Sequence, residues 1–323
     1  MSKPIEQGVS RNGHAFIRIG NHGYPLCLID DLHFRPKPVE GLTLQGMLQV
    51  YEKYLERHQL LYLFRNVPPE LLEQEDEEQE DEEQEDEEQE DEQESGSGTP
   101  PAEEAEAARR ESGESGEPGQ DMAPPTIESE AESYLNALFD FGFPRVHLMG
   151  VGYGGMVALK VAATAPQLFR SLVLVAAGPR LPEPMARELR RLADLARSEQ
   201  WRELHAGLAA ALHDHSRFRR FFSTVAWSLP KLLGIPGDPE RVAGILEAYA
   251  GADLREELPR IKTPTLFVAG AKDPYLEEEQ LRLAAETIGE ADLALWEGEG
   301  HSILRAKPEE VEERILSFLA SQE

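Results

Sequence analysis

The sequence predicts an α/β fold: a mostly parallel central sheet with helices on both faces and a helical cap. Three observations predict it. Short apolar runs alternate with amphipathic stretches along most of the 323 residues, the pattern of parallel strands joined by helical crossovers. One run, at residues 146–151, passes straight into a glycine-rich turn and a helix of small residues. The stretch from residue 182 to 258 has helical periodicity alone, as an insertion after a strand would.

Taken in order, residues 15–19 and 25–29 are β-like runs joined by the turn Asn21-His22-Gly23. Residues 43–55 carry Leu44, Met47, Leu48, Tyr51 and Leu55 at helical spacing. Residues 60–64 form another apolar strand, closed by Pro68-Pro69. An amphipathic helix is expected at 127–141, a strand at 172–176, further strands at 265–269 and 293–296, and a final helix at 309–319. Inside the helical stretch, Leu189, Leu192, Leu195 and Ala196 form one stripe, Trp201, Leu204, Leu208 and Leu212 another, and Phe218, Phe221, Phe222, Val225 and Trp227 an aromatic cluster.

Between the strand at 60–64 and the helix at 127–141 the composition changes. Glu-Gln-Glu-Asp-Glu is repeated four times from Glu73, and residues 73–121 hold 24 acidic and two basic side chains. The whole-chain net charge is −29, so the rest of the protein carries only −7. Such a segment cannot bury apolar surface and repels itself, which predicts disorder. The expected organisation is a core made of residues 1–72, 126–181 and 259–323, an acidic insert at 73–125 and a helical cap at 182–258.

Composition also excludes some classes. An acidic chain without a basic patch is a poor ligand for nucleic acid, and no run nears the ~18 apolar residues of a membrane span. The N-terminus lacks the apolar region of a secretory signal, and the single cysteine, Cys27, allows no internal disulfide. A cytoplasmic protein is expected. Cys27 lies within a strand and reads as a packed thiol. His205, His213 and His215 lack metal-ligand spacing and read as surface histidines of the cap. Arg217, Arg219 and Arg220, beside the phenylalanines, read as the solvated face of an amphipathic helix. No metal or cofactor is implied. The acidic insert would attract a basic protein or cations.

The chemistry-bearing motifs lie at three strand ends. Gly150-Val151-Gly152-Tyr153-Gly154 has the form of a nucleophile elbow, G-x-S-x-G, with glycine where the serine would stand. Gly270-Ala271-Lys272-Asp273-Pro274 follows the strand at 265–269, and Gly298-Glu299-Gly300-His301-Ser302 follows the strand at 293–296. With the helical cap, this order of elbow, acid turn and histidine loop resembles the α/β-hydrolase fold superfamily, over nearly the whole chain outside the acidic insert. The resemblance implies that Asp273 orients His301 and that His301 faces position 152 as general base. It also implies an oxyanion hole using the N–H of Tyr153 and the backbone after the strand at 25–29.

This chain departs from the pattern twice. Gly152 has no group that attacks a carbonyl, and loss of a triad serine costs about 10⁶-fold in turnover. Asp30-Asp31 stands where the family usually has a small pair such as His-Gly, and a carboxylate beside a developing oxyanion opposes its stabilisation. The expected function is therefore a hydrolase-like protein that is catalytically impaired or non-catalytic, holding a small apolar or acyl ligand under the cap or serving a partner protein. An active hydrolase or lyase in which His301 and Asp273 activate water is the alternative. A third reading uses the same glycines: Gly150, Gly152 and Gly155 satisfy G-x-G-x-x-G, the dinucleotide fingerprint. That motif asks for an acid about 20 residues on, where this chain has Ala176-Ala177-Gly178.

Overall fold

The structure is a computed structural model that describes residues 4–29, 51–64, 124–212 and 238–323. Among them are eight strands: β1 (Ile5–Val9), β2 (Ala15–Ile19), β3 (Tyr24–Ile29), β4 (His58–Leu63), β5 (Val146–Val151), β6 (Phe169–Val175), β7 (Thr265–Gly270) and β8 (Ala291–Trp296). They make one sheet in the order β1-β2-β4-β3-β5-β6-β7-β8. β2 runs antiparallel to both β1 and β4, and every other neighbouring pair is parallel. The helices are α1 (Ile127–Asp140), α2 (Gly152–Thr164), α3 (Glu183–Arg197), α4 (Trp201–Leu212), α5 (Pro239–Gly251), α6 (Glu278–Ile288), α7 (Ile303–Ala306) and α8 (Pro308–Ala320). No helix among the described residues is long and apolar enough to cross a membrane.

Side chains that alternate along the central strands go to opposite layers, as a two-residue period requires. Cys27, Leu148, Leu172, Leu174 and Phe267 join the core that contains α1, α2, α3 and α5. Leu28, Met149, Val173, Val175 and Val268 join the second core, closed by Val311, Ile315 and Leu319 of α8. Covered on both faces, these strands read as continuous apolar runs, which is why they were legible. Cys27 is fully buried, and that burial pushes its thiol pKa up.

Three expectations need correction. A strand precedes the first expected one: β1 is exposed except at half-buried Gly8, with Ile5 and Val9 open to solvent, so it shows neither alternation nor an apolar run. The described end of the expected 43–55 helix is a turn leading into a single 3-10 turn at Tyr54–Glu56, and residues 43–50 lie outside the described residues. His205 is buried in α4, because the helix turns that face inward beside Leu204; burial depresses its pKa. The acidic segment, His213, His215 and the arginine–phenylalanine stretch at 217–222 lie outside the described residues.

At the N-terminal ends of β4 and β5 the interior is polar. His58 and His147 are buried, their rings 5.4 Å apart and edge to face. His147 Nδ1 shares a hydrogen bond of 2.7 Å with Ser171 Oγ, while the Arg170 guanidinium lies 3.8 Å from the centre of the Tyr24 ring. Burial first, then the nearby His58, Arg170 and Arg145, push the pKa of His147 down to about 3. His58 is depressed as well, chiefly by burial. An unfolded chain protonates His147 near pH 6.5, so between that pH and about 3 the unfolded state holds the extra proton. Stability is therefore complete above about pH 6.5 and falls as the pH drops, at up to ~1.4 kcal/mol per pH unit from this group alone. Urea titrations at stepped pH should show that slope, and His147→Gln should flatten it; a profile level from pH 7 to 4 would contradict this account.

Candidate active site

The carboxyl ends of β5, β7 and β8 carry the three expected motifs at one end of the sheet, where open α/β sheets bind ligands. β5 runs into α2 without a loop. Val151 is extended (φ −118°, ψ 134°) and Gly152 is already the first helical residue, so the chain turns within one residue, and Gly152 does so with φ at 52°. That value lies in the left-handed region, which glycine enters without a Cβ clash. Tyr153 follows in the first turn of α2, which makes its N–H one of the helix's leading donors, and its side chain is fully buried.

The other glycines of the motif serve packing. A Cβ on Gly150 would come within 2.6 Å of the Gly154 carbonyl and 2.7 Å of Ala158 Cβ, and a Cβ on Gly155 would collide with Ala177 Cβ. They let α2 lie directly on β5 and β6. β6 ends at Val175 without an acidic residue, so the carboxylate that would accept from the ribose hydroxyls of a dinucleotide is absent there. The glycine spacing is accounted for by helix–sheet packing.

Asp273 and His301 come together. His301 Nδ1 donates to Asp273 Oδ2 at 2.9 Å, with the Asp273 side chain fully buried and that of His301 7% exposed. The second carboxylate oxygen, Oδ1, accepts the Tyr275 backbone N–H at 2.8 Å. Nδ1 is thus the imidazole nitrogen that faces the carboxylate. The two turns that carry this pair are bound to each other: Lys272 N–H donates to the Glu299 carbonyl at 2.8 Å, and Ala271 N–H donates to the Trp296 carbonyl at 2.9 Å. At the end of β7 the backbones nearly touch, since a Cβ on Gly270 would lie 2.5 Å from the carbonyl oxygen of Gly300.

Aromatic rings bridge the elbow and the histidine. Tyr153 lies 4.9 Å from Tyr249 of α5, Tyr249 lies 6.1 Å from Tyr275, and Tyr275 stacks on His301 at 4.3 Å. Gly270, Tyr249 and Tyr275 were not among the expected site residues. The only sequence signal was an aromatic residue two positions after Asp273; Tyr249 belongs to a helix whose partner no local pattern reveals. Asp30 and Asp31 directly follow β3 and lie outside the described residues. A surface groove of about 470 Å³ opens elsewhere, beside Trp296, Glu310 and Arg314, and contains none of the residues above. Among the described residues no cluster of His, Cys, Asp and Glu could hold a metal ion.

Fold, elbow and acid–histidine turns together define a protein of the α/β-hydrolase class. The model of the Alpha/beta hydrolase family matches residues 96–314, more than half of the chain, and the chain belongs to that family. Among its relatives is RutD of Stutzerimonas stutzeri (strain A1501), named for carbamate hydrolysis. The two are 30% identical over 210 residues, which is 61% of this chain and 74% of that protein. The pimeloyl acyl-carrier-protein methyl ester esterase of Xanthomonas oryzae pv. oryzae (strain MAFF 311018) is 29% identical over 201 residues, 58% of this chain and 76% of the esterase. In fold, the chain is similar to a hydrolase from Pseudomonas aeruginosa PA01, with a TM-score of 0.63 at 21% identity, covering 98% of both chains. It is also similar to the enol-lactonase from Burkholderia xenovorans LB400, with a TM-score of 0.63 at 16% identity, covering 98% of this chain and all of the other.

The Gly270 contact yields a prediction. Gly270→Ala forces apart two backbones that have no flexible end to yield, at a cost on the order of 1–3 kcal/mol for overpacking. Thermal unfolding should move down by several degrees, and the Asp273–His301 proton resonance should weaken; an unchanged melting temperature would show that the turns have slack.

Proposed function

We propose that this protein is a hydrolase-fold ligand-binding protein whose acyl-transfer chemistry is dormant. The observation that carries the reading is Gly152: it occupies the apex of the β5–α2 turn with φ at 52° and brings no oxygen or sulfur to that point. Without a nucleophile there, no acyl-enzyme forms at the elbow. The Asp273–His301 pair, 2.9 Å apart, is read as the remaining two members of a triad. The helical stretch at 182–258 is read as a cap over a pocket for a small apolar or acyl compound. Relatives named for methyl ester and carbamate hydrolysis support a ligand built around such a carbonyl group. The acidic stretch at 73–125 is read as an attachment point for a basic protein or cations.

A second reading keeps turnover. The buried, hydrogen-bonded Asp273–His301 pair is the arrangement a general base needs, and it would activate water directly at a bound ester.

Hydrolysis of short p-nitrophenyl esters separates the two. In the first reading the wild-type protein releases p-nitrophenol no faster than buffer, while Gly152→Ser gains turnover that His301→Ala removes. The serine there occupies a left-handed backbone position costing ~1–3 kcal/mol, so the variant should melt lower while gaining activity. Wild-type turnover at an esterase's rate, abolished by His301→Ala, would establish the second reading, and a covalent acyl adduct trapped on the wild-type protein would overturn the first.

A further inference from the structure

β8 ends the sheet: β7 pairs with it on one side, and no strand among the described residues pairs with it on the other. Its bonds to β7 come from alternate residues. Thr265 N–H donates to the Glu290 carbonyl at 2.8 Å, and Ala271 N–H donates to the Trp296 carbonyl at 2.9 Å. Along a strand, the N–H and C=O of one residue share a side, and the next residue turns them the other way. Asp292 and Ala294 therefore face β7, while Ala291, Leu293 and Leu295 present their main-chain groups outward.

Edge strands are commonly shielded from further pairing by lysine, proline or a bulge. β8 reads Ala-Asp-Leu-Ala-Leu-Trp, has none of these, and keeps an unbroken register with β7. Its one charge, Asp292, is matched by Arg314 of α8 at 2.9 Å, and its other residues are half-buried.

The groove of about 470 Å³ runs along this edge, with Ala294 and Trp296 on one wall and Glu310, Glu313, Arg314 and Ser317 of α8 on the other. From Glu310 to Ser317 the helix rises about 10 Å, the length of about three residues of extended chain. Most charges in the groove are already met. Glu310 accepts from Lys307 and from the Trp296 indole N–H, both at 3.1 Å, and Arg314 is held by Asp292. Glu313 is exposed and has no ion pair among the described residues. A second copy of this chain would bring another Glu313 and another net charge of −29, so repulsion disfavours it and a cationic partner fits.

We propose that β8 and α8 form a docking site for an extended, basic segment of another protein, which pairs with β8 as a further strand. Its main chain bonds to Leu293 and Leu295. Its side chains alternate: apolar on the face that continues Leu293 and Leu295, and small or basic on the face of Ala294, Trp296 and α8, where a lysine or arginine meets Glu313. The site is independent of the chemistry at position 152.

The probe is the acetylated, amidated hexapeptide Val-Thr-Val-Lys-Val-Thr, beside its counterpart with glutamate in place of lysine. With the lysine peptide bound, amide exchange at Leu293 and Leu295 should slow by about tenfold or more, while Asp292 and Ala294, already bonded to β7, should not change. Glu313→Lys should weaken the lysine peptide by about fivefold and tighten the glutamate peptide. An edge strand tolerates proline where its N–H faces solvent, so Leu293→Pro should fold and lose binding, whereas Leu293→Ala, which keeps the N–H, should still bind. If Leu293→Pro does not fold, the exchange pattern and the Glu313 series decide. The proposal is overturned if the lysine peptide fails to bind at millimolar concentration, if Glu313→Lys leaves the two peptides' order unchanged, or if protection spreads evenly along β8. Dimers in sedimentation that Leu293→Pro removes would assign the edge to a second copy, which also overturns it.

Discussion

The structure depends on a strand that becomes a helix within one residue. β5 ends at Val151 and α2 begins at Gly152, with α2 pressed so close to the sheet that Gly150 and Gly155 have no room for a methyl group. These two facts are coupled: a longer connection would let the helix rise off the sheet, and a bulkier residue at 150 or 155 would force it to. The turn must then be made by a backbone angle that side-chain-bearing residues adopt only with strain. In a hydrolase that strain is tolerated because it projects a nucleophile. With glycine at 152 the same turn is made without that strain.

The acid–histidine pair has a structural role that needs no nucleophile. A buried carboxylate is tolerable only when its oxygens are matched by donors, and Asp273 has one from His301 and one from Tyr275 N–H. Those bonds join the turn after β7 to the loop after β8, alongside the backbone bonds from Ala271 and Lys272. Removing either partner of the pair would break the side-chain bond between the two turns. The pair is therefore expected in a stable fold of this kind whether or not it is a base, and its presence alone is weak evidence for turnover. Chemistry at position 152 decides between the readings.

Legibility in the sequence followed burial. The central strands were readable because both faces are covered and, beyond their polar N-terminal ends, their positions are apolar. β1 was not, because an edge strand with solvent on both sides carries no such pattern. The elbow, Asp273 and His301 were readable as short motifs after strands, since the turn chemistry is local. The tyrosine column was not: Tyr153, Tyr249, Tyr275 and His301 are spread over nearly half the chain and meet only through tertiary packing. His205 was misplaced for the same reason, since which face of a helix is covered depends on a neighbour that the helix's own spacing does not name. Gly270 stood in plain view in the acid turn, but what makes it indispensable is the backbone of residues 299–300 across the sheet.

β5 also connects the two polar regions of the interior. Its first turn of chain holds His147, kept neutral by burial and by neighbouring positive charge, and its last residue leads into Gly152. The strand is central, paired on both sides by β3 and β6, so its register is shared by the whole sheet. A proton forced onto His147 would be a buried charge near His58, Arg145 and Arg170, and the cheapest relief is to open the N-terminal ends of β4 and β5 to water. β5 is joined to α2 without a loop, so no connection separates the strand that holds His147 from the elbow. The buried neutral histidine at one end of the sheet and the turn into α2 at the other thus belong to one six-residue strand.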